Sequence, residues 1–362
     1  MISALHSQYV IDGVPRELSP ARILGGKELP REDYDPIVDE TTDPALGAFE
    51  FHSSRLDAYL EGVCAEKRIF PRAFPENYTR LVVASSLVDF IWRKGDFRIG
   101  DLCVGLHWKF DDSRVGNMAA LYSSVGSAAE YVDGLGLPVS EFSLNPSSEM
   151  EFGASVSLLQ TSEDDVFISQ PFRSGNPSVM DGRIPSKMVP DPQSWLIYVP
   201  FDTADFRLGG SLLAQTTGNA GGTAPALGDV DYFIDCYEVV RELVQDGILL
   251  AGCSVGEGGL LKALRGMTDR GAEVDVSDMA AAVGENDVVR LMFSEIPGAL
   301  IQISDIDFDY VDAELLLQDV AYFPLGHPSP DSGKIRVKSS SKNGIQKILE
   351  SLIQNQSAEG ED

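Results

Sequence analysis

The chain has 362 residues, room for two domains at roughly 100–200 residues each, and its 43% hydrophobic share supports a core that needs neither disulfides nor metal. Its 56 Asp and Glu against 28 Lys and Arg leave a net charge of −28. Such a charge repels phosphate backbones and anionic bilayers, so nucleic acid and membrane are not expected partners, while a locally basic pocket for a small anionic ligand stays open.

Four widely spaced cysteines, Cys64, Cys103, Cys236 and Cys253, form no CxxC pair, and there are only four histidines, so no zinc-type ligand cluster is present. The thiols read as reduced small hydrophobes. The first residues carry no basic patch followed by an apolar run, and no stretch reaches the ~18 apolar residues of a membrane span. A cytoplasmic location is the expectation.

Residues 1–50, with an acidic run from Pro30 to Asp43, read as an extended arm. Leu56, Tyr59, Leu60 and Val63 have helical spacing, as does the apolar face running from Leu81 to Ile91 within Tyr78–Trp92. Asp101–Phe110 is a strand whose unbroken apolar start points to burial on both faces. A small-residue helix is expected over Arg114–Gly134 and a strand over Gly153–Gln160. The Pro/Gly/Ser-rich stretch Arg173–Ser194 is the linker candidate. Beyond it come a strand at Trp195–Val199, a Leu208-Gly209-Gly210-Ser211 turn and a second Gly-rich loop at Gly218–Gly222. An amphipathic helix over Asp231–Asp246 is stopped by Gly247. A short strand at Ile248–Ala251, a helix at Leu260–Thr268 and a strand at Ala299–Ile303 follow. Alternating strands and helices in two blocks define an α/β (α+β) class. The division expected is an arm over 1–50, one domain over 51–190, a second over 191–335, and a C-terminal helix and tail over 336–362.

The segment Leu249–Leu260 is the most informative for function. A strand enters the turn Gly252-Cys253-Ser254-Val255-Gly256-Glu257-Gly258-Gly259 and then a helix. Backbone N–H groups at such a helix start can hold an anion, or the glycines can simply serve a tight connection. Neither a P-loop nor a GxGxxG pattern is present. His107, at a strand end, is a candidate general acid or base, or a half-buried histidine bonded within the fold. Cys253, read at a helix N-terminus, is either a reactive thiol or an inert buried one. The basic spots Trp92-Arg93-Lys94 and Lys334–Lys342 read as solvated surface.

The run Cys253-Ser254-Val255-Gly256-Glu257-Gly258-Gly259-Leu260 resembles the His-Asp-Arg-Ser-Asp-Gly-Gly-Leu stretch of the formylglycinamide ribonucleotide amidotransferase family, also called phosphoribosylformylglycinamidine synthase. Other parts line up in the same order from Phe74 to Asp305. Phe293-Ser294-Glu295-Ile296-Pro297-Gly298 is similar to that family's Phe-x-Glu-x-x-Gly turn, and Leu208–Ser211 to its Leu-Gly-Gly-Ser turn. Ser140-Glu141-Phe142-Ser143 stands where the family has a Gly-Lys-Asp-Ser loop. On the helix from Arg80 to Asp89, the family's magnesium-facing Glu and Asn fall on Ser85 and Asp89. The resemblance is closest to the second of the large enzyme's two homologous halves, and it covers neither the glutaminase nor the first half.

The resemblance implies a PurM-like two-domain unit. Its N-terminal domain carries a sheet that forms half of a barrel at a dimer interface, and its C-terminal domain is an α/β sandwich. A homodimer, or pairing with a homologous half, follows, since a lone half would expose sheet edge and apolar surface. The nucleotide-site positions carried over are Ser85, Asp89, Ser143, Ser254, Gly256, Glu257, Gly258 and Gly259. The serines at 254 and 85 replace carboxylates, and magnesium prefers carboxylate and phosphate oxygens. The expectation is therefore no bound metal and no cofactor, with ATP and magnesium held only if Asp89 and Glu257 rebuild a shifted site. Three functions remain in view: a non-catalytic scaffold, regulatory or auxiliary half; a genuine subunit in ATP-dependent amidation of formylglycinamide ribonucleotide; or a different small-molecule enzyme on the same scaffold.

Overall fold

The computed structural model describes residues 4–27, 36–41, 50–94, 97–159, 184–219, 221–329 and 333–339. Most of the acidic run, residues 160–183, which include the first part of the linker candidate Arg173–Ser194, and the tail from 340 onward lie outside them.

The first element block is β1 (Tyr9–Ile11), β2 (Val14–Pro15), α1 (Pro20–Ile23) and β3 (Ile37–Asp39). It differs from the extended arm expected over 1–50. The three strands form a small sheet in the order β2-β1-β3, and Leu5, Tyr9, Ile11, Ala21 and Leu24 are buried in the larger core. The reason is the period-two alternation of Tyr9 and Ile11, which turns both side chains inward. The Tyr9 ring lies 5.1 Å from that of Tyr122.

α2 (Leu56–Ala65) and α3 (Pro75–Lys94) come next, then β4 (Leu102–Phe110), α4 (Asn117–Gly134), β5 (Val139–Pro146) and β6 (Glu151–Leu158). The three strands form a sheet in the order β5-β4-β6, with β4 parallel to β5 and antiparallel to β6. On β4, Leu102, Val104, Leu106, Trp108 and Phe110 are buried on the side covered by α3 and α4, and the Trp108 indole donates to Ser124 of α4 at 2.8 Å. The opposite side carries Cys103 and Gly105, both buried, then half-buried His107 and exposed Lys109. Burial on both faces is thus confined to the start of the strand. β5 and β6 are the sheet's edges among the described residues, but the outward face is polar rather than apolar: Lys109, His107, Glu141, Ser143 and Glu151 stand there.

α4 begins without a capping side chain of its own. Asp39 supplies one from β3, its carboxylate accepting from the backbone N–H of Gly116, Met118 and Ala119 at 2.7, 2.9 and 3.1 Å. A negative charge on three orphan donors also complements the helix dipole.

The rest of the chain is β7 (Trp195–Pro200), α5 (Leu212–Thr216), α6 (Val230–Asp246), β8 (Leu249–Val255), α7 (Gly259–Met267), β9 (Ala272–Asp275), α8 (Ser277–Val283), α9 (Val288–Phe293), β10 (Gly298–Ile303), α10 (Phe308–Leu317), β11 (Phe323–Pro328) and β12 (Ile335–Lys338). The strands make one six-stranded mixed sheet, β12-β9-β11-β7-β10-β8. β10 is buried at every residue, and its side chains divide between two clusters. Ile301 and Ile303 join Ile197, Val199 and the apolar face of α6, whereas Leu300 joins Leu196, Tyr198 and α7. Asp229 caps α6 through the Tyr232 N–H, and Gly247 ends it with φ of 73°. α3 packs against β6 of one sheet and β8 of the other, so one helix carries residues to the seam between them.

Replacing Asp39 by Ala should lower stability by about 1–2 kcal/mol, the cost of a lost helix cap, with little change in the urea m-value. A urea melt followed by far-UV circular dichroism measures it, and Asp39→Asn should lose less.

Candidate functional site

β8 extends to Val255, four residues further than the short strand expected, because Cys253 and Ser254 pair with Leu300 and Ala299 of β10. The turn is thereby shortened to Gly256-Glu257-Gly258 before α7. Gly258 and Gly259 have φ of 81° and 71°, the left-handed region that glycine enters without strain. A Cβ on Gly259 would also stand 2.7 Å from the Phe293 backbone, and one on Gly256 would stand 2.5 Å from Ser85 Oγ. The glycine density is therefore accounted for by backbone angle and close packing.

Glu295 holds this turn in place. It is buried at 5% exposure, and its Oε1 accepts from the N–H groups of Gly258 and Leu212, both at 2.8 Å. Its Oε2 pairs with the guanidinium of Arg68, equally buried. Arg68 also lies 3.6 Å from Glu257 and stacks over the Tyr78 ring at 4.9 Å. Burial pushes the Tyr78 hydroxyl up to about 12, with Arg68 pulling the other way. One carboxylate thus ties together the loop before α3, the Leu208–Ser211 turn and the start of α7. Beside it opens a small cleft of about 20 Å³, lined by Arg68, Asn77, Tyr78, Arg207, Ser211 and Glu295. Sequence reasoning reached Glu295 only as part of a motif and missed Arg68. Nothing in the polar stretch Glu66-Lys67-Arg68 marks one cation for burial.

Across the seam, α3 presents Ser85, Asp89 and Trp92 to β8. The Ser254 hydroxyl donates to Asp89 Oδ1 at 2.5 Å and accepts the Trp92 indole N–H at 2.9 Å. The Trp92 ring lies over Gly252, where a Cβ would stand 2.6 Å from it. Asp89 keeps a solvent-facing surface, yet crowding by protein raises its pKa, against the opposing pull of the Ser254 bond and the Arg93 charge. Ser85 Oγ is buried with no hydrogen-bond partner.

The structure brings Ser85, Asp89, Ser254 and Gly256 together and sets the other predicted positions apart. Glu257 is drawn to Lys262 at 2.9 Å and to Arg68, so the two carboxylates that would have to rebuild a shifted site are held by different partners. Among the described residues, no group of three His, Cys, Asp or Glu side chains is arranged to hold a metal ion. Ser143, expected in a loop, lies in the middle of β5, opposite His107 of β4. Its hydroxyl is 2.9 Å from His107 Nδ1, while Nε2 faces Ser155 at 3.4 Å and Glu141 at 3.7 Å. This cluster projects from the face of the sheet that α3 does not cover, so Ser143 does not join Ser85 and Ser254. Ser143 and Leu144 pair with His107 and Trp108 of β4, so pairing with the neighbouring strand makes this segment β-structure rather than the loop expected. Cys253 sits within β8, not at a helix start, and burial pushes its thiol up to about 12, with the Asp89 charge adding to the effect. That environment is the opposite of the one that activates a thiol.

No family model matches the chain. It is 25% identical over 291 residues, 76% of its length, to the probable phosphoribosylformylglycinamidine synthase, chloroplastic/mitochondrial, of Arabidopsis thaliana. With the phosphoribosylformylglycinamidine synthase of Homo sapiens it shares 23% identity over 335 residues, 92% of its length. It spans only 19% and 24% of those two proteins. Among solved structures, PurLQS from Thermotoga maritima superposes with a TM-score of 0.50 at 14% identity, over 75% of this chain and 41% of that one. The phosphoribosylformylglycinamidine synthase II of the same organism gives 0.50 at 14%, over 78% and 40%. The mixed sheets and their helices are thus those of a PurM-like α/β protein. Within that class its sequence similarity is to the PurL-type proteins, the phosphoribosylformylglycinamidine synthases. No helix among the described residues is long and apolar enough to cross a membrane.

Removing the buried carboxylate leaves the buried Arg68 charge with only half-exposed Glu257, at 3.6 Å, as an acidic partner. Glu295→Ala should therefore cost about 3–5 kcal/mol in chemical denaturation, and Arg68→Met/Glu295→Gln should cost less than the sum of its single changes.

Proposed function

We propose that this chain is a synthetase half of the PurL type whose nucleotide–magnesium site is degenerate, acting as a scaffold, regulatory or auxiliary half rather than as a catalyst by itself. The observation that carries this reading is the Trp92–Ser254–Asp89 hydrogen-bond chain. Where the resembling family has a metal-binding aspartate, a neutral hydroxyl stands, with its proton given to Asp89 and a lone pair given to an indole. Magnesium needs hard oxygen ligands with convergent charge, and a triphosphate needs that charge neutralised. Ser85 and Ser254 supply no charge, and Glu257 is drawn to two cations. The residues present do not fit a magnesium–ATP group, so no reaction step is assigned to one.

A second reading has support from the curated relatives, both phosphoribosylformylglycinamidine synthases. The chain spans about a fifth to a quarter of the synthases it matches. A companion chain would then supply the intact site, and this one would serve as the auxiliary half in ATP-dependent amidation of formylglycinamide ribonucleotide in the cytoplasm. Under either reading, a second chain, identical or homologous, pairs at the edges of the β5-β4-β6 sheet through the polar face described above.

Titration calorimetry with ATP, with and without magnesium, tests the degenerate site. The expected result is no heat of binding up to about millimolar ATP, equivalent to less than about 4 kcal/mol of binding free energy. Micromolar binding that needs magnesium and is abolished by Asp89→Ala would overturn it. Light scattering at micromolar concentration should give twice the 39.2 kDa chain mass if the partner is a second copy. A monomer there would leave only a homologous half as partner.

A further inference from the structure

The segment after β10 carries an apolar stripe that nothing in the described fold covers. Ile306 is 89% exposed, Tyr310 45% and Leu317 77%, with exposed Ala313 between them. Their spacing of four, three and four residues puts all four on one side of α10 and the turn before it. The opposite side, Val311 and Leu315, is fully buried against the core, so the stripe is not a misplaced inner face. Its surroundings are acidic. Asp305, Asp307, Asp309, Asp312, Glu314 and Asp319 lie between 305 and 319 with no Lys or Arg among them. Glu314, Glu242 and Asp246 surround the Tyr310 hydroxyl, which donates to Asp246 at 2.8 Å.

We propose that this stripe is the docking face for the chain's own segment 344–353. Ile345, Ile348, Leu349, Leu352 and Ile353 fall at i, i+3, i+4, i+7 and i+8, the pattern of an amphipathic helix with one apolar side. Lys342 and Lys347 at its start offer the charge the acidic rim lacks, and no Asp or Glu occurs between Lys334 and Lys347.

Geometry permits the contact. β12 runs parallel to β9 and ends at Lys338, opposite Asp275. Through β9 and β11 this level corresponds to the Leu196–Tyr198 part of β7. α10 starts beside Trp195, with the Phe308 ring 5.0 Å from the indole, and its far end leads to Phe323, which pairs with Tyr198. The chain therefore leaves the sheet at the end where Leu316 and Leu317 stand. Three strand spacings separate β12 from β7, about 14 Å. Residues 339–344, when extended, reach roughly 20 Å.

Hydrogen exchange of the full-length protein tests the contact. Amides 345–353 should exchange about tenfold or more slowly in the native chain than in Ile306→Glu/Leu317→Glu, whose substituted side chains are both exposed and leave the core intact. Leu349→Glu/Leu352→Glu should release the same amides while α10 keeps its protection. Random-coil exchange over 345–353 in the native chain would overturn the proposal, as would protection indifferent to the 306/317 change. Protection that grows with protein concentration would also overturn it, since the occupant would then be another copy.

Discussion

The buried pairing of Glu295 with Arg68 is the constraint on which the seam between the two sheets depends. A carboxylate and a guanidinium removed from water are costly, and only well-directed partners offset that cost. Glu295 has them: a guanidinium on one oxygen and two backbone N–H groups on the other. Those two N–H groups belong to a turn and a helix start far apart in the chain, Leu212 and Gly258. The pair therefore acts as a three-way clasp on a turn whose glycines at 258 and 259 are left-handed, with Gly259 packed against the Phe293 backbone.

With that clasp in place, α3 and β8 face each other at a fixed distance, and the chemistry between them is set by three side chains. Trp92, Ser254 and Asp89 hydrogen-bond in series, and the indole covers the strand where it lacks a Cβ at Gly252. A neutral hydroxyl between an indole and a carboxyl needs no counter-ion, which is why the arrangement is self-sufficient. Crowding raises the Asp89 pKa, so its charge is less favoured than that of a carboxylate in water. The His107–Ser143–Ser155 cluster has the same self-contained character on the other sheet. Its ring nitrogens face hydroxyls on the two flanking strands, and it belongs to the polar outer face rather than to the seam.

Much of the architecture was legible from residue order. The apolar periodicity of α3, α4 and α6 and the apolar runs of β4, β7 and β10 appear at the expected places, since helix and strand periods are local properties. Elements with weak local signals were not legible. β9 has four residues, β11 contains Pro324 and Gly326, and the N-terminal strands are three residues or fewer, so their existence depends on the partners they pair with. The same limit applied at the site. The Gly-Gly-Leu frame and the Phe-x-Glu turn were readable as motifs. The burial of Arg68, the strand that carries Ser143, and the separation of Glu257 from Asp89 were not.

The sequence by itself determined the α/β class, the positions of the long helices, the absence of a CxxC pair among its four cysteines, and the uncharged serines at 85 and 254. These follow from residue identity and spacing, which no folding event alters. Only the tertiary structure decided which charges meet. Arg68 finds Glu295 across 227 residues, and Ser254 finds Asp89 across 165. Electrostatic and hydrogen-bond partners are chosen by distance in space, and packing sets that distance.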